Sequence, residues 1–389
     1  MTHAGPLSVR IVSDLNGWQA LQPWWDTLLE ASTDSTPWQT FDYLWCWWQH
    51  LREARQLRII VVESAGVPVM IFPLQITRET MMGLPLRLIE PITMMWDVNR
   101  PRFALGAPDM SLLRFGLDAD RVPLVADAPE RVEELPLSDP QAQELEALAA
   151  REGLWFRDVL SSVCPYLSLE QPWDAFLKSR GPRLRKNLRA ALRRLESHGP
   201  VRLDVRERPE DIARAFDVVM SLHQRSWKRR KHVGLSLSVP FRDFFRAFLF
   251  RRAAQGRACV LTLWAADRPV AATIAFVHQD TYFSTEIVHD AAFAHCSPGT
   301  LLESMELERL MRARQQRCYD FLGRFLSNKQ RWTDTARVTH RIYVFRPGLV
   351  NALVELHYFR AKPLIKRGWR AVFGLSRATA QAMRFMPRT

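Results

Sequence analysis

Alternating and periodic apolar positions divide the chain into the strands and helices of a mixed α/β protein. Residues 57–63 and 67–76 are two apolar, β-branched runs on either side of Gly66, a pattern typical of a β-hairpin. Residues 259–265 and 269–278 repeat this pattern much later in the chain. The repetition indicates a duplicated domain rather than a short-period repeat.

A strand, a turn and an amphipathic helix follow one another in the last third of the chain. Residues 282–288 are rich in the β-branched and aromatic types that favour strands. Ser297 is placed to cap the next helix, and Pro298 suits its first turn. Apolar residues then recur at spacings of three and four, namely Leu301, Met305, Leu307, Leu310 and Met311. A short strand is predicted at residues 317–322, closed by Gly323.

The start of that helix is also a candidate anion site. Ser297, Pro298, Gly299 and Thr300 form a turn into a helix N-terminus, where backbone N–H groups and the helix dipole favour phosphate. A Ser-Pro-Gly helix start is more often a plain cap. The motif alone therefore does not decide between the two roles.

Positive charge is concentrated in two stretches. The chain has a formal net charge of +13 and a pI near 10.1. Such a charge indicates an anionic partner, or else an arginine-rich composition that serves no anionic partner. The first stretch predicts a helix with cations and no carboxylate, namely Arg180, Arg183, Arg185, Lys186, Arg189, Arg193 and Arg194. The second, residues 225–231, is expected to be a flexible loop. Residues 349–389 predict two basic amphipathic helices, which suit a membrane surface, a partner or the protein's own body.

Composition narrows the class of protein. Hydrophobic residues make up 47% and charged residues 24%, as in soluble globular proteins, and 389 residues favour two or three domains. No apolar run reaches membrane-spanning length and no secretory signal is recognisable, so a cytoplasmic protein is expected, with peripheral contact at the inner membrane face as an alternative. The five cysteines show no C-x-x-C spacing, which argues against a disulfide framework or a zinc site. Motifs of zinc peptidases, serine hydrolases and P-loop enzymes are absent.

Five sequence elements, taken in order, resemble the CelD-like group of GNAT acyltransferases, which is related to the tandem-domain FemAB aminoacyltransferases. The elements are Arg185-Lys186-Asn187-Leu188, His223 to Trp227, Ser297-Pro298-Gly299, Tyr319-Asp320-Phe321-Leu322-Gly323, and Lys329 to Trp332. The chain departs from ordinary GNAT proteins because it lacks a Gly-x-Gly pair in the pyrophosphate loop.

The resemblance implies two tandem GNAT-like domains, each a mixed sheet flanked by helices. These are residues 1–165 and 166–348, followed by the tail at 349–389. It also implies an acyl-CoA-dependent N-acyltransferase, acting on an amine or amino sugar in polysaccharide or cell-envelope assembly. Ser297, Pro298, Gly299 and Thr300 would hold the acyl-CoA pyrophosphate, and no metal is expected.

Site residues are carried over from the same resemblance. Glu286, a carboxylate inside a predicted strand, is the first candidate base, because a charge in a strand is costly unless it is paired or used. Asp320 and Tyr319 are further catalytic candidates. The acceptor site would draw on Asp97, Arg185, Asn187, His223, Trp227, Lys329 and Trp332.

Two other functions remain open at the level of sequence. A FemAB-like transferase would take its acyl group from aminoacyl-tRNA, whose phosphates suit the basic helix. A non-catalytic accessory protein would bind an anionic polymer or a membrane instead. No DNA partner is expected.

Overall fold

The computed structural model describes residues 6–31, 35–81, 84–92, 146–231, 234–322, 327–345 and 347–357. Asp97, Gly323 and the tail beyond residue 357 lie outside these ranges. The strands are β1 (Leu7–Val12), β2 (Gln56–Ser64), β3 (Val67–Met81), β4 (Leu84–Pro91), β5 (Trp155–Ser168), β6 (Val201–Arg206), β7 (Ala258–Ala265), β8 (Arg268–His278), β9 (Thr281–His289), β10 (Cys318–Asp320) and β11 (Ala336–Phe345). The α-helices are α1 (Leu15–Gln19), α2 (Gln22–Glu30), α3 (Phe41–Leu51), α4 (Trp173–Ser179), α5 (Pro182–Glu196), α6 (Pro209–Arg225), α7 (Trp227–Arg230), α8 (Val239–Ala254), α9 (Pro298–Ala313), α10 (Ser327–Gln330) and α11 (Leu349–Glu355).

The first part of the chain forms a four-stranded antiparallel sheet in the order β1-β2-β3-β4. Helix α3 begins where the Thr40 hydroxyl accepts a hydrogen bond from the Tyr43 N–H at 3.3 Å, as helix N-caps do. Its tryptophans Trp45 and Trp48 pack on Trp18 of α1, which also contacts Trp25 of α2, and Trp18 and Trp25 are both fully buried. These aromatic residues therefore form a core.

The second part forms a seven-stranded sheet in the order β11-β5-β10-β9-β8-β7-β6. Its described neighbours are antiparallel except for β9 and β10, which run parallel. The mixed α/β fold expected from the sequence is confirmed, as are both hairpins and helix α9. The predicted domain boundary at residue 165 lies inside β5.

Helices cover both faces of the large sheet because its central strands are apolar on both sides. On β7, Val260 belongs to a core that includes α6 and α8. Its neighbours Cys259 and Leu261 face the opposite core, with α4, α5 and α9. This alternation is the period of two that a strand imposes on its side chains.

The core under α6 and α8 is shared with the first part of the chain. The Trp38 ring lies 5.7 Å from that of Phe276 and 6.2 Å from that of Phe283, centroid to centroid. A salt bridge of 2.8 Å joins Arg251 to Asp42 at the edge of the same contact. Aromatic burial and a charged pair thus connect the two sheets.

The second basic stretch differs from the loop expected from the sequence. The second basic stretch contains helix α7 rather than only a loop, because the Ser226 hydroxyl caps it by accepting a hydrogen bond from the Lys228 N–H at 3.2 Å. Among the described residues, no helix is both long and apolar enough to cross a bilayer.

Candidate functional site

Strands β9 and β10 separate after a short parallel contact. β9 pairs with β8 along its length, but with β10 only at Thr281, Tyr282 and Phe283. The pairing register between β9 and β8 shifts at Thr285, as at a β-bulge. The Thr285 hydroxyl donates a hydrogen bond to the Ile274 carbonyl oxygen at 2.7 Å. Within the described ranges, the following part of β9 has no strand partner on the β10 side, and this point of divergence is called the gap below.

Glu286 lies on β9 beside this gap and is held by two side chains. Its Oε1 accepts hydrogen bonds from Lys228 Nζ at 2.6 Å and from His223 Nε2 at 2.7 Å. A Cβ atom at Gly234 would come within 2.7 Å of Glu286 Oε1, so glycine is required for the loop to approach this closely. Gly234 also has a φ of +65°, which glycine adopts without strain.

The pKa of Glu286 follows from these contacts. Burial alone would raise it, but the Lys228 ammonium and the His223 hydrogen bond outweigh burial and lower the pKa to about 2. The carboxylate is therefore charged at neutral pH and can only accept, which places a proton on His223 Nε2. A base of such low pKa is weak while Lys228 remains on it.

On the β10 side of the gap, Asp320 and Lys329 both bind the backbone of Leu322. Asp320 accepts from the Leu322 N–H at 2.7 Å and from Arg337 Nη2 at 3.0 Å, and burial raises its pKa despite Arg337. Lys329 Nζ donates to the Leu322 carbonyl oxygen. Burial lowers the pKa of Lys329, and the charge of Lys228 lowers it further.

Tyr319 lies in a buried network beneath the sheet. Its hydroxyl donates to Glu306 Oε2 at 2.6 Å, and the Tyr282 hydroxyl donates to Glu306 Oε1 at 2.7 Å. The two tyrosine rings stack 5.5 Å apart. Burial raises the pKa of both tyrosines well above the ordinary value. Tyr319 is fully buried, so it positions neighbouring groups rather than meeting solvent.

The start of α9, where the sequence predicts an anion site, does not form a simple helix cap. Ser297 has the left-handed conformation (φ 52°, ψ 47°), and its side chain makes no capping hydrogen bond, contrary to the simple cap expected. A Cβ at Gly299 would meet His289 Nδ1 at 3.7 Å and Ile287 Cγ2 at 3.8 Å, which are ordinary contacts. Thr300 Oγ1 accepts from Arg331 Nη1 at 2.8 Å. The protein itself therefore does not require glycine at position 299.

A buried carboxylate that the sequence analysis did not select lies one turn further along α9. Glu303 Oε2 accepts a hydrogen bond from Trp332 Nε1, and both side chains are buried. Burial raises the pKa of Glu303 to about 7, and nearby Glu306 acts in the same direction. The sequence offered no signal for Glu303 beyond its place in the helix, because its partner is 29 residues away.

The predicted acceptor residues are only partly brought together. His223 lies beside Glu286, while Lys329 lies across the gap. Arg185 is engaged on α5, where its Nη1 donates to the carbonyl oxygens of Leu177 and Lys178. Asn187 is exposed on the same helix, and Trp227 is partly exposed at the start of α7. Asp97 falls outside the described ranges.

A protein-family model matches part of the chain. Residues 182–332 match the family model of the Acetyltransferase (GNAT) domain. No curated protein matches the chain.

Similar solved structures extend over more of the chain. The crystal structure of FemX has a TM-score of 0.53 at 10% identity, covering 89% of this chain and 99% of FemX. L-PGS from Bacillus licheniformis has a TM-score of 0.46 at 11% identity, covering 88% and 95%. A tandem GNAT protein from the clavulanic acid biosynthesis pathway has 0.42 at 14%, covering 88% and 100%. At these identities the likeness to FemX shows a shared fold.

Proposed function

We propose that the chain is an N-acyltransferase that takes an acyl group from acyl-CoA and transfers it to an amine or amino-sugar acceptor. The observation that carries this proposal is the gap between β9 and β10, which opens beside the start of α9 in the segment that matches the GNAT domain. Peptide groups without a strand partner and a helix N-terminus supply the donors that a thioester and a pyrophosphate need. The role in polysaccharide or cell-envelope assembly is proposed from the sequence resemblance.

The start of α9 binds the pyrophosphate in this proposal. The Gly299 N–H and the helix dipole favour negative charge there, whereas the N–H groups of Ser297 and Thr300 already donate to the carbonyl oxygens of Ala294 and Ser297. Arg331, held on Thr300 Oγ1, adds a cation beside them. Gly299 lets a ligand approach the backbone closely. A Cβ atom would fit at this position, and because glycine has none, that space is left for the ligand.

The gap between the strands supports the chemistry. The acceptor nitrogen attacks the thioester carbonyl carbon, so a C–N bond forms and the C–S bond breaks. The sulfur leaves as a thiolate and takes up the proton that a carboxylate beside the gap has accepted from the amine. Backbone N–H groups of β9 beyond Phe283 stabilise the charge that develops on the carbonyl oxygen. The amine loses its proton to a carboxylate beside the gap, for which Glu286 is the first candidate and Asp320 the second.

Glu286 can accept that proton only if the acceptor amine takes the place of Lys228 on Oε1. Both are amines, so the Lys228 contact of 2.6 Å indicates the position that an acceptor nitrogen would occupy. His223 keeps the carboxylate oriented in either case. Tyr319 and Trp332 support the site through Glu306 and Glu303, while Lys329 holds the turn after β10.

Calorimetric titration with acetyl-CoA and longer acyl-CoAs, at low and moderate salt, tests the donor. We expect saturable binding that Gly299→Glu weakens by about tenfold or more, because it places a carboxylate against the pyrophosphate. Gly348→Glu is the matched control, since a Cβ at Gly348 meets nothing within 4 Å and its φ of 169° is extended. Binding of no acyl-CoA by the wild-type protein would overturn the proposal.

Transfer from aminoacyl-tRNA is the second candidate, favoured by the basic face of α5. Arg183, Lys186, Arg189 and Arg193 are exposed, and in the described part of the chain no carboxylate pairs with them. Affinity for charged tRNA that falls steeply with salt, together with no affinity for acyl-CoA, would favour this function. Failure of both donors would leave an accessory role in binding a membrane or an anionic polymer.

A further inference from the structure

Two histidines and a cysteine meet beside the start of α9, at a point that the proposed acyl transfer does not use. His198 follows α5 in the turn that leads to β6. His295 and Cys296 end the short 3-10 helix Ala291–Cys296. One ring nitrogen of each histidine and the cysteine sulfur all lie within 4.8 Å of one another. The cluster therefore joins two segments separated by nearly a hundred positions in the sequence.

Packing and backbone contacts hold this cluster in place, while the ligand atoms of its side chains make no hydrogen bond within the described residues. The His198 ring packs edge-to-face on Phe293 at 5.1 Å and lies 6.0 Å from the His295 ring. The backbone of His295 is held by Arg194, whose Nε donates to its carbonyl oxygen at 3.1 Å. Within the described residues, the two imidazole rings and the cysteine sulfur of this cluster make no hydrogen bond.

Imidazole nitrogen and cysteine sulfur are the ligand atoms of zinc-type sites, whereas magnesium and calcium prefer oxygen ligands. Tetrahedral Zn²⁺ with imidazole and thiolate ligands places the donor atoms roughly 3.3–3.7 Å apart. The donors therefore need to close by about 1 Å, which the two exposed histidine side chains can supply by rotation about their χ angles. Arg194, whose guanidinium lies at the His295 carbonyl oxygen, repels a dication, so the affinity has to come from the three donors themselves.

We propose that His198, His295 and Cys296 bind one Zn²⁺ ion, with a fourth position open to water or to a ligand. No metal is expected from the sequence, because the five cysteines show no C-x-x-C spacing. The bound ion would fix the end of α5 to the residue that precedes Ser297. Binding at this site and binding at the start of α9 would then be thermodynamically linked.

The test uses the full chain after treatment with a chelator, titrated with Zn²⁺ by calorimetry and with Co²⁺ by absorption spectroscopy. We expect one ion per chain and a thiolate-to-cobalt charge-transfer band. His198→Ala and Cys296→Ser should each weaken binding by about tenfold or more, and Cys296→Ser should abolish the band. Cys318→Ser, which removes a partly buried thiol outside the cluster, is the matched control and should change neither.

A charge-transfer band that persists in Cys296→Ser would overturn the proposal, and so would a Zn²⁺ affinity that is unchanged in His198→Ala. Weak binding without a fixed stoichiometry would overturn it as well. His198 is exposed, so its replacement is expected to leave the fold intact, which circular dichroism checks. The readout is metal binding itself, so the result is independent of whether acyl-CoA is the donor.

Discussion

Glu286 and Glu303 are the same residue type at nearly the same burial, 8% and 6% exposed, yet their pKa values move in opposite directions. Glu286 is lowered to about 2 and Glu303 is raised to about 7. Glu286 receives a lysine ammonium and an imidazole N–H, whereas Glu303 receives a neutral indole N–H and has Glu306 nearby. The charge of the partner, rather than the depth of burial, decides the direction.

The difference has a consequence for proton transfer. A group whose pKa is close to the working pH exchanges protons most effectively, and by that criterion Glu303 is better poised than Glu286. Glu286 gains basicity only when Lys228 leaves it. The sequence analysis selected Glu286 because it is a charge in a strand, and could not anticipate that a lysine 58 positions away would neutralise it.

Removing Lys228 should give the largest effect. Lys228→Met leaves a buried, charged carboxylate with only His223 to compensate it. We expect a loss of about 3–5 kcal/mol in the free energy of unfolding at pH 7, measured by chemical denaturation. Adding Glu286→Gln should recover most of this loss. Lys231→Met is the control, because Lys231 is exposed at the end of α7. Wild-type stability in Lys228→Met would contradict the pairing.

Gly234→Ala should have the next largest effect, because its Cβ would press on Glu286 and on His223 Cε1 at 3.0 Å. We expect a loss of about 2–3 kcal/mol, which combines the strain of a positive φ with the steric contact. Gly66→Ala is the matched control, since its φ is +79° and a Cβ there meets nothing within 4 Å. Equal losses in the two variants would show that the contact with Glu286 contributes nothing.

Glu303→Gln should have the smallest effect and the clearest pH dependence. The folded pKa of Glu303 lies above its unfolded value, so the folded state binds more protons and stability falls as pH rises from about 4.5 through about 7. The glutamine variant should lack this fall and be more stable than wild type by on the order of 1–3 kcal/mol at pH 8, with little difference at pH 4. Unfolding curves across this range measure it.

Glu308→Gln is the control for that series, because Glu308 is only partly buried and pairs with the exposed Arg312 on the same helix. A parallel pH dependence in wild type and Glu303→Gln would assign the titration to another group. Glu306, whose pKa burial also raises, would then be the first candidate.

The sequence predicted local structure well because local structure follows from local patterns. The hairpins, β9, α5 and α9 were found from apolar periodicity, Pro and Gly positions and caps. The spacing of Leu301, Met305 and Leu307 predicted one buried stripe on α9. The helix is buried over a wider arc, which includes Glu303 and Glu306.

Contacts between distant segments could not be predicted in this way. Glu286 and His223 were both selected, but their hydrogen bond depends on how α6 packs over β9. Trp332 was assigned to the acceptor site from a motif, and its indole instead reaches a carboxylate on α9. Partners of this kind are fixed by tertiary packing, which periodicity along the chain does not record.

The ring contacts of Trp38 with Phe276 and Phe283 also bear on how the protein can be produced. A gene fragment that begins at residue 166 would leave Phe276 and Phe283 without the indole that covers them, on a surface built as an interior. Exposed aromatic patches of this kind drive self-association. We expect such a fragment to be recovered as aggregate and the full chain to melt in one transition, because the two sheets stabilise each other through the same rings.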